Sequence, residues 1–380
     1  MRVLFYYPHT PGHSEDYWMP YVVELAKRAT LHVMFPAYMN LHFPSYIYSH
    51  PIAVIPFGRA LGHAALDVPI WPSVVSAIRK IKPDVVHVMG EPAYTATFML
   101  HVAVDFLMEE TPKKSCRAAQ NVLQYWPFPF SWLEQQVYKR TDAIFWVSRD
   151  AAQVIRSKGY QGRLYCVANG YDDTVFYPGE SVRVQPPIRL LFAGNLIARK
   201  GITVLLDALT MIANMPWELS IAGKGPLEPI IRQQVHESGL ASKVKFCGFL
   251  KHDKFADLVR SSHILVVPSQ TSDGSDWGRF RRIARVFQVG WKEQFGKVIV
   301  ECLACGVPCL GSTCGAIPET IGNAGWVVPE GDARALAEQL ASLIRNPEQI
   351  EEKRQLAIKR AQDFKWGILA ERTVAIWRGM

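Results

Sequence analysis

Two glutamates, Glu293 and Glu301, stand with seven residues between them around the turn Gln294-Phe295-Gly296. Gly296 permits close backbone approach, and Val298, Ile299, Leu303 and Ala304 supply one apolar face of a helix beginning just after it. That frame puts Glu293 in the loop before the helix and Glu301 in its second or third turn. The start of a helix offers unpaired N–H groups and a partial positive charge, which suits a phosphate. Phe295, Gly296, Lys297 and Val298 carry the amides that would face it. A carboxylate would repel the phosphate itself and is better suited to accept hydrogen bonds from sugar hydroxyls. Phosphate flanked by polyol is the outline of a nucleotide-sugar. An ordinary amphipathic helix after a glycine turn would explain the helix but not two spaced acids.

A second anion site is written into residues 188–202. The strand Ile188–Ala193 runs into Gly194-Asn195-Leu196-Ile197-Ala198-Arg199-Lys200-Gly201 and a helix from Ile202, so a glycine turn and two cations precede a helix start. Gly223, after the strand Glu218–Ala222, and Gly248-Phe249, within Val244–Leu250, read as further strand-end turns. The first half opens as βαβ, with Gly12 and His13 in its first loop. The three-glycine dinucleotide fingerprint is absent there, which disfavours a nicotinamide oxidoreductase. Glu91 follows the apolar strand 83–88 at its carboxyl end, where open α/β sheets bind ligands. His87, inside that strand, reads as a core histidine. Gln120, ending the strand 117–122, can hydrogen-bond a hydroxyl but cannot act as a base. It reads equally as a strand-end polar residue.

The elements that must position these groups fit a chain of 380 residues, which suits two domains. Charged residues at 20% and hydrophobic ones at 49% describe a well-cored globular protein. No apolar run reaches the length of a membrane span and the N-terminus reads as a strand, so a cytoplasmic location is expected. The formal charge of +8 is compatible with nucleic acid, anionic lipid or phosphorylated small molecules without choosing among them. Seven cysteines are expected to be reduced, with Cys166, Cys247, Cys302, Cys305 and Cys309 at apolar or helical positions. The run Cys302, Cys305, Cys309, Cys314 lacks the spacing of paired zinc knuckles.

The stretch from Lys292 to Glu319, with its Cys-Gly-Val-Pro and Gly-Ala-Ile-Pro-Glu segments, resembles the donor-site motif of the family-4 glycosyltransferases. The resemblance implies an α/β GT-B fold, two doubly wound Rossmann-like domains facing across a cleft. It implies a retaining hexosyltransferase drawing on a nucleoside diphosphate sugar and needing no other cofactor. Glu293 would contact the transferred sugar, Glu301 the ribose, and Gly194, Gly223, Gly248 and Phe249 the nucleotide, with Gly12, His13 and Glu91 on the acceptor side. Asn195 stands where relatives carry an arginine, so Lys200 would hold the diphosphate either with Arg199 compensating or with one cation fewer. Gln120 stands where many relatives carry a histidine near the sugar. No Asp-x-Asp strand-end motif occurs in a plausible donor site, so protein cations are expected in place of a metal. Hinge closure is expected, since neither half holds a complete site.

The prolines at 178, 186 and 187 place a boundary between a domain over 1–180 and one over 187–362, with a helix over 363–380 crossing back to the first. Residues 271–291 look like an insertion, and 277–291 read as a basic amphipathic segment that would dock on an anionic membrane, on an acceptor or on the partner domain, or else pack locally. The acceptor implied by the resemblance would be a glycan, a lipid-linked molecule or a small molecule. An epimerase or hydrolase of the same fold would need an acid–base pair that the sequence does not offer. A nucleic-acid binder is suggested by charge alone, and no nucleic-acid partner is expected.

Overall fold

The computed structural model describes residues 1–8, 18–56, 67–179, 184–273 and 290–380. Gly12 and His13, and the segment 274–289 that forms most of the insertion, lie outside them. The described chain divides into two units, Met1–Ala168 with Trp366–Met380, and Asn169–Lys365.

The first unit is built on seven parallel strands: β1 (Arg2–Tyr6), β2 (Thr30–Pro36), β3 (Tyr48–Ile52), β6 (Val85–Val88), β7 (Lys113–Ala118), β8 (Ala143–Trp146) and β9 (Arg163–Cys166). β4 (Val54–Ile55) and β5 (Val68–Pro69) form a separate antiparallel pair. The order in the large sheet is β3-β2-β1-β6-β7-β8-β9. Parallel strands covered on both faces are near-continuously apolar, and β1 meets that demand from Val3 to Tyr6. Val3 and Phe5 face one layer with Tyr21 and Leu25 of the helix Met19–Ala26. Leu4 and Tyr6 face the other, with Ile78 and Leu100 from the helices Trp71–Ile81 and Thr95–Leu107. The helix Trp366–Gly379 closes the first layer. Trp366 packs 5.3 Å from Trp18 and 5.1 Å from Tyr21, and Trp377 lies 5.4 Å from His87.

His87 is the core histidine that its apolar strand implied. It is buried among Phe5, Phe145 and Trp377 with Nδ1 2.9 Å from the Ser115 hydroxyl, and burial pushes its pKa down to about 3. Burial does the same to His101. Both are neutral in the folded state at neutral pH, whereas unfolded histidine binds a proton near pH 6.5. Between about pH 6.5 and 3 these two sites hold more protons in the unfolded chain, and their contribution to stability falls as pH falls. Each histidine contributes about 1.4 kcal/mol per pH unit in that window. Urea melts at pH 7 and pH 5 should show His87→Phe losing less stability on acidification than wild type. Glu91 and Glu301, whose carboxyls burial raises, act in the opposite direction in both proteins and cancel in that comparison.

The second unit holds β10 (Ile188–Ala193), β11 (Trp217–Ala222), β12 (Val244–Gly248), β13 (Ile264–Val267), β14 (Cys309–Ser312) and β15 (Gly325–Val328), all parallel, in the order β12-β11-β10-β13-β14-β15. Its core joins Leu190 and Phe192 to Leu205 and Leu209 of the helix Ile202–Met211 and to Leu336 and Leu340 of Ala333–Arg345.

Residues 169–177 pack with this second unit, earlier in the chain than the proline-rich boundary expected at 178–187. The Tyr171 amide donates to the Phe364 carbonyl, Lys365 pairs with Asp173 at 3.3 Å, and Arg260 donates to the Val175 carbonyl. Two cysteines also differ from expectation: Cys166 is exposed and Cys247 only partly buried. Both lie on edge strands, β9 and β12, where one side has no neighbouring strand. Cys302, Cys305, Cys309 and Cys314 are buried thiols, and burial raises their pKa values.

Candidate active site

In an open parallel sheet the connections leave in opposite directions where strand order reverses, opening a crevice at the carboxyl ends. In the second unit that point lies between β10 and β13. The loop after β10 and the loop after β13 meet there. The Gln270 amide donates to the Arg199 carbonyl at 2.9 Å, and Gly201 lies so close to Pro268 that a Cβ would stand 1.8 Å from its carbonyl oxygen. The neighbouring turns join the same edge. Gly194 N–H donates to Ala222, Gly223 N–H to Gly248, and Leu196 N–H to Lys224. Asn195 and Phe249 are exposed on these turns.

The cations and acids of the sequence meet at this edge. Lys200 Nζ lies 2.5 Å from Glu293 Oε2, though 93 residues separate them, and the Ser269 hydroxyl donates to the same oxygen at 3.4 Å. Glu293 is 8% exposed. Its carbonyl accepts from the Ala316 amide at 2.9 Å, so the Gly-Ala-Ile-Pro-Glu segment holds it from behind. The following helix spans Lys297–Ala304 and starts from Gly296, whose φ of +78° is the left-handed conformation that glycine adopts without strain. Phe295 is clamped by its ring against Phe364 and by its carbonyl, which accepts from the Thr320 hydroxyl.

Glu301 sits in the second turn, 5% exposed, with Lys297 Nζ 3.2 Å from its carboxylate. Burial raises its carboxyl pKa, and the Lys297 charge opposes that shift. Val298 is partly buried. Arg199 and Lys200 both lie over the ring of Trp291, each 5.0 Å from its centroid. Trp291 and Ser269 carried no motif signal, because each is defined by partners distant in sequence.

In the first unit the strand order reverses between β1 and β6, and Glu91 follows β6 there. Its Oε1 accepts from the amides of Ala119 and Gln120, at 2.6 and 3.1 Å. Burial raises its carboxyl to about 7, against the pull of those amides and of Lys158. Gln120 is brought beside it, but its side chain is turned inward. Its Nε2 donates to the carbonyls of Val122 and Gln124, and its Oε1 accepts from Lys158, which also pairs with the buried Glu134 at 2.8 Å.

Two six- or seven-stranded parallel sheets, each with a ligand edge at its strand-order reversal, make the architecture of the GT-B fold. Solved structures agree over the full chain. Sucrose-phosphate synthase from Thermosynechococcus elongatus superposes with a TM-score of 0.72 at 17% identity, covering all of this chain and 98% of that one. Anabaena Alr3699/HepE in complex with UDP does so with a TM-score of 0.71 at 16% identity, covering both chains entirely. At such identities the likeness establishes the fold.

The model for glycosyl transferases group 1 matches residues 187–346, and that for glycosyltransferase family 4 matches 21–175. The chain belongs to this family of glycosyltransferases. The putative colanic acid biosynthesis glycosyltransferase WcaL of Escherichia coli K12 is 26% identical over 213 residues, 55% of this chain and 49% of that protein. The chain thus spans about half the length of the relatives it matches.

Among the described residues no helix is long and apolar enough to cross a membrane.

Proposed function

We propose that the chain is a retaining, metal-independent glycosyltransferase. It moves a sugar from a nucleoside diphosphate sugar to a hydroxyl of a glycan, lipid-linked or small-molecule acceptor. The Lys200–Glu293 pair beside the start of the helix Lys297–Ala304 carries this reading. It sets a fixed cation, a hydrogen-bond acceptor and a helix N-terminus at the one edge of the sheet where a ligand crevice opens.

The second unit takes the donor. Its diphosphate lies against Lys200, Arg199 and the amides of 295–298, with Glu293 accepting from hydroxyls of the transferred sugar and Glu301 from the ribose. As the bond from the anomeric carbon to the diphosphate oxygen breaks, negative charge grows on that oxygen and the two cations stabilise it. The acceptor hydroxyl attacks from the face the diphosphate leaves, and its proton passes to the departing phosphate oxygen. No protein nucleophile is required, and configuration is retained. The first unit takes the acceptor, with Glu91 at its crevice. HepE, of the same fold, is solved with UDP-glucose, which makes uridine nucleotides the first to try.

The test is a thermal-shift panel of UDP-, GDP-, ADP- and dTDP-sugars, with and without EDTA, on wild type and Glu301→Ala. A ligand bound only by the native state raises the melting temperature, by about 2.7 kcal/mol of stability at a hundredfold excess over Kd. Stabilisation by one nucleotide class, unchanged by EDTA and lost in the variant, is the expected result. A shift that EDTA abolishes would overturn the metal-independent chemistry, and no shift with any sugar nucleotide would overturn the donor site.

A further inference from the structure

We infer that Trp291 is a positioning residue for the donor diphosphate, its indole face fixing the Arg199 and Lys200 cations without neutralising them. The inference rests on the donor site proposed above. Both cations lie 5.0 Å from the centroid of the same ring. Lys200 is also held by Glu293, two residues further along, so one short segment grips the ammonium with a π face and a carboxylate.

These two grips differ in what they leave behind. The carboxylate cancels one unit of charge. An aromatic face attracts a cation through its quadrupole and carries no net charge. The ring therefore holds both cations without subtracting charge from the edge that draws a diphosphate. A second carboxylate in place of the ring would hold the cations equally well and abolish that attraction. A guanidinium resting on a ring also keeps its in-plane N–H fork directed outward, the geometry that phosphate oxygens accept.

The ring is mounted to hold position. Trp291 and Ser272 exchange both backbone hydrogen bonds, at 2.9 and 2.8 Å. Next to Ser272, the amide and hydroxyl of Thr271 donate to the Glu330 carboxylate, and the Glu330 amide donates to the Thr313 hydroxyl beyond β14. Trp291 is therefore tied to the far side of the same sheet edge from the loop whose cations it faces.

The experiment places tryptophan analogues carrying one to four ring fluorines at position 291 alone, together with Trp291→Phe and Trp291→Leu. Dissociation constants are measured for UDP, GDP and ADP and for the corresponding nucleosides. Fluorination withdraws π density while nearly preserving shape, so it keeps the test informative where Trp291→Leu fails to fold. Diphosphate affinity is expected to fall stepwise, by about tenfold at four fluorines and in Trp291→Leu, and by no more than about threefold in Trp291→Phe. Nucleoside affinity should stay constant. A flat fluorine series, or an equal loss for nucleoside and diphosphate, overturns the role of the ring while leaving the donor site standing. The donor site fails separately if wild type binds none of the diphosphates or if Lys200→Ala binds them undiminished.

Discussion

Lys200→Ala is expected to lower kcat/KM for the donor by about 10²- to 10³-fold, the cost typical of removing one preorganised donor from a site of developing negative charge. The substitution also acts on the folded state. Glu293 is 8% exposed, and Lys200 supplies the ammonium that lies 2.5 Å from its Oε2. A buried group stripped of its partner costs about 1–3 kcal/mol, more when charged. Urea denaturation should therefore show Lys200→Ala less stable than wild type.

Pairing it with Glu293→Gln removes the buried charge that Lys200 had balanced, so the double variant should recover stability without recovering activity. Glu293→Gln alone should behave differently. It frees the Lys200 charge for phosphate while weakening the contact to the sugar, so KM falls or holds while kcat drops. Equal loss of kcat with unchanged KM in both single variants would mean that the two groups act on the same atom, contrary to the separation argued here.

How much was legible in the sequence follows from how local each feature is. The helix Lys297–Ala304 and its Gly296 start were legible because their glycines, prolines and acids lie in one stretch, and the helix is amphipathic in its own right. Gln120 was not. Its side chain is settled by Lys158, 38 residues later, and by backbone carbonyls of a loop whose path has no periodicity.

The pairing of Lys200 with Glu293 spans 93 residues, and no local rule joins them. The division after Ala168 has a different origin. Prolines mark where a chain stops forming regular structure, whereas the packing boundary is set by Tyr171 meeting Phe364 and Lys365, which arrive from the other end of the second unit. Edge position is invisible too, since Cys166 and Cys247 lie in strands that only the sheet order shows to be outermost.

Gly201→Ala is expected to abolish most donor turnover, and the reason is geometric before it is chemical. Gly201 has φ +69°, a conformation that costs an L-residue about 1–2 kcal/mol. Strain of that kind alone would leave the kinetics intact. Here the added Cβ would stand 1.8 Å from the Pro268 carbonyl oxygen, a backbone atom that cannot rotate away. The loops after β10 and β13 must therefore separate by more than about 1 Å, the scale at which misplaced groups lose about 10²-fold in rate. Lys200, adjacent to the substituted residue, would be drawn off Glu293, and the Gln270–Arg199 bond would stretch.

Gly239→Ala separates the two effects. Its φ of +66° is nearly the same, but nothing lies within 4 Å of the Cβ it would gain. It should lose about 1–2 kcal/mol of stability with kcat/KM unchanged. If the two alanine variants proved equally active, register between the strand-end loops would not be what sets the donor chemistry. If Gly201→Ala alone is inactive yet still folded, the close approach at the switch point does the positioning, and glycine is there for the space it leaves rather than for its flexibility.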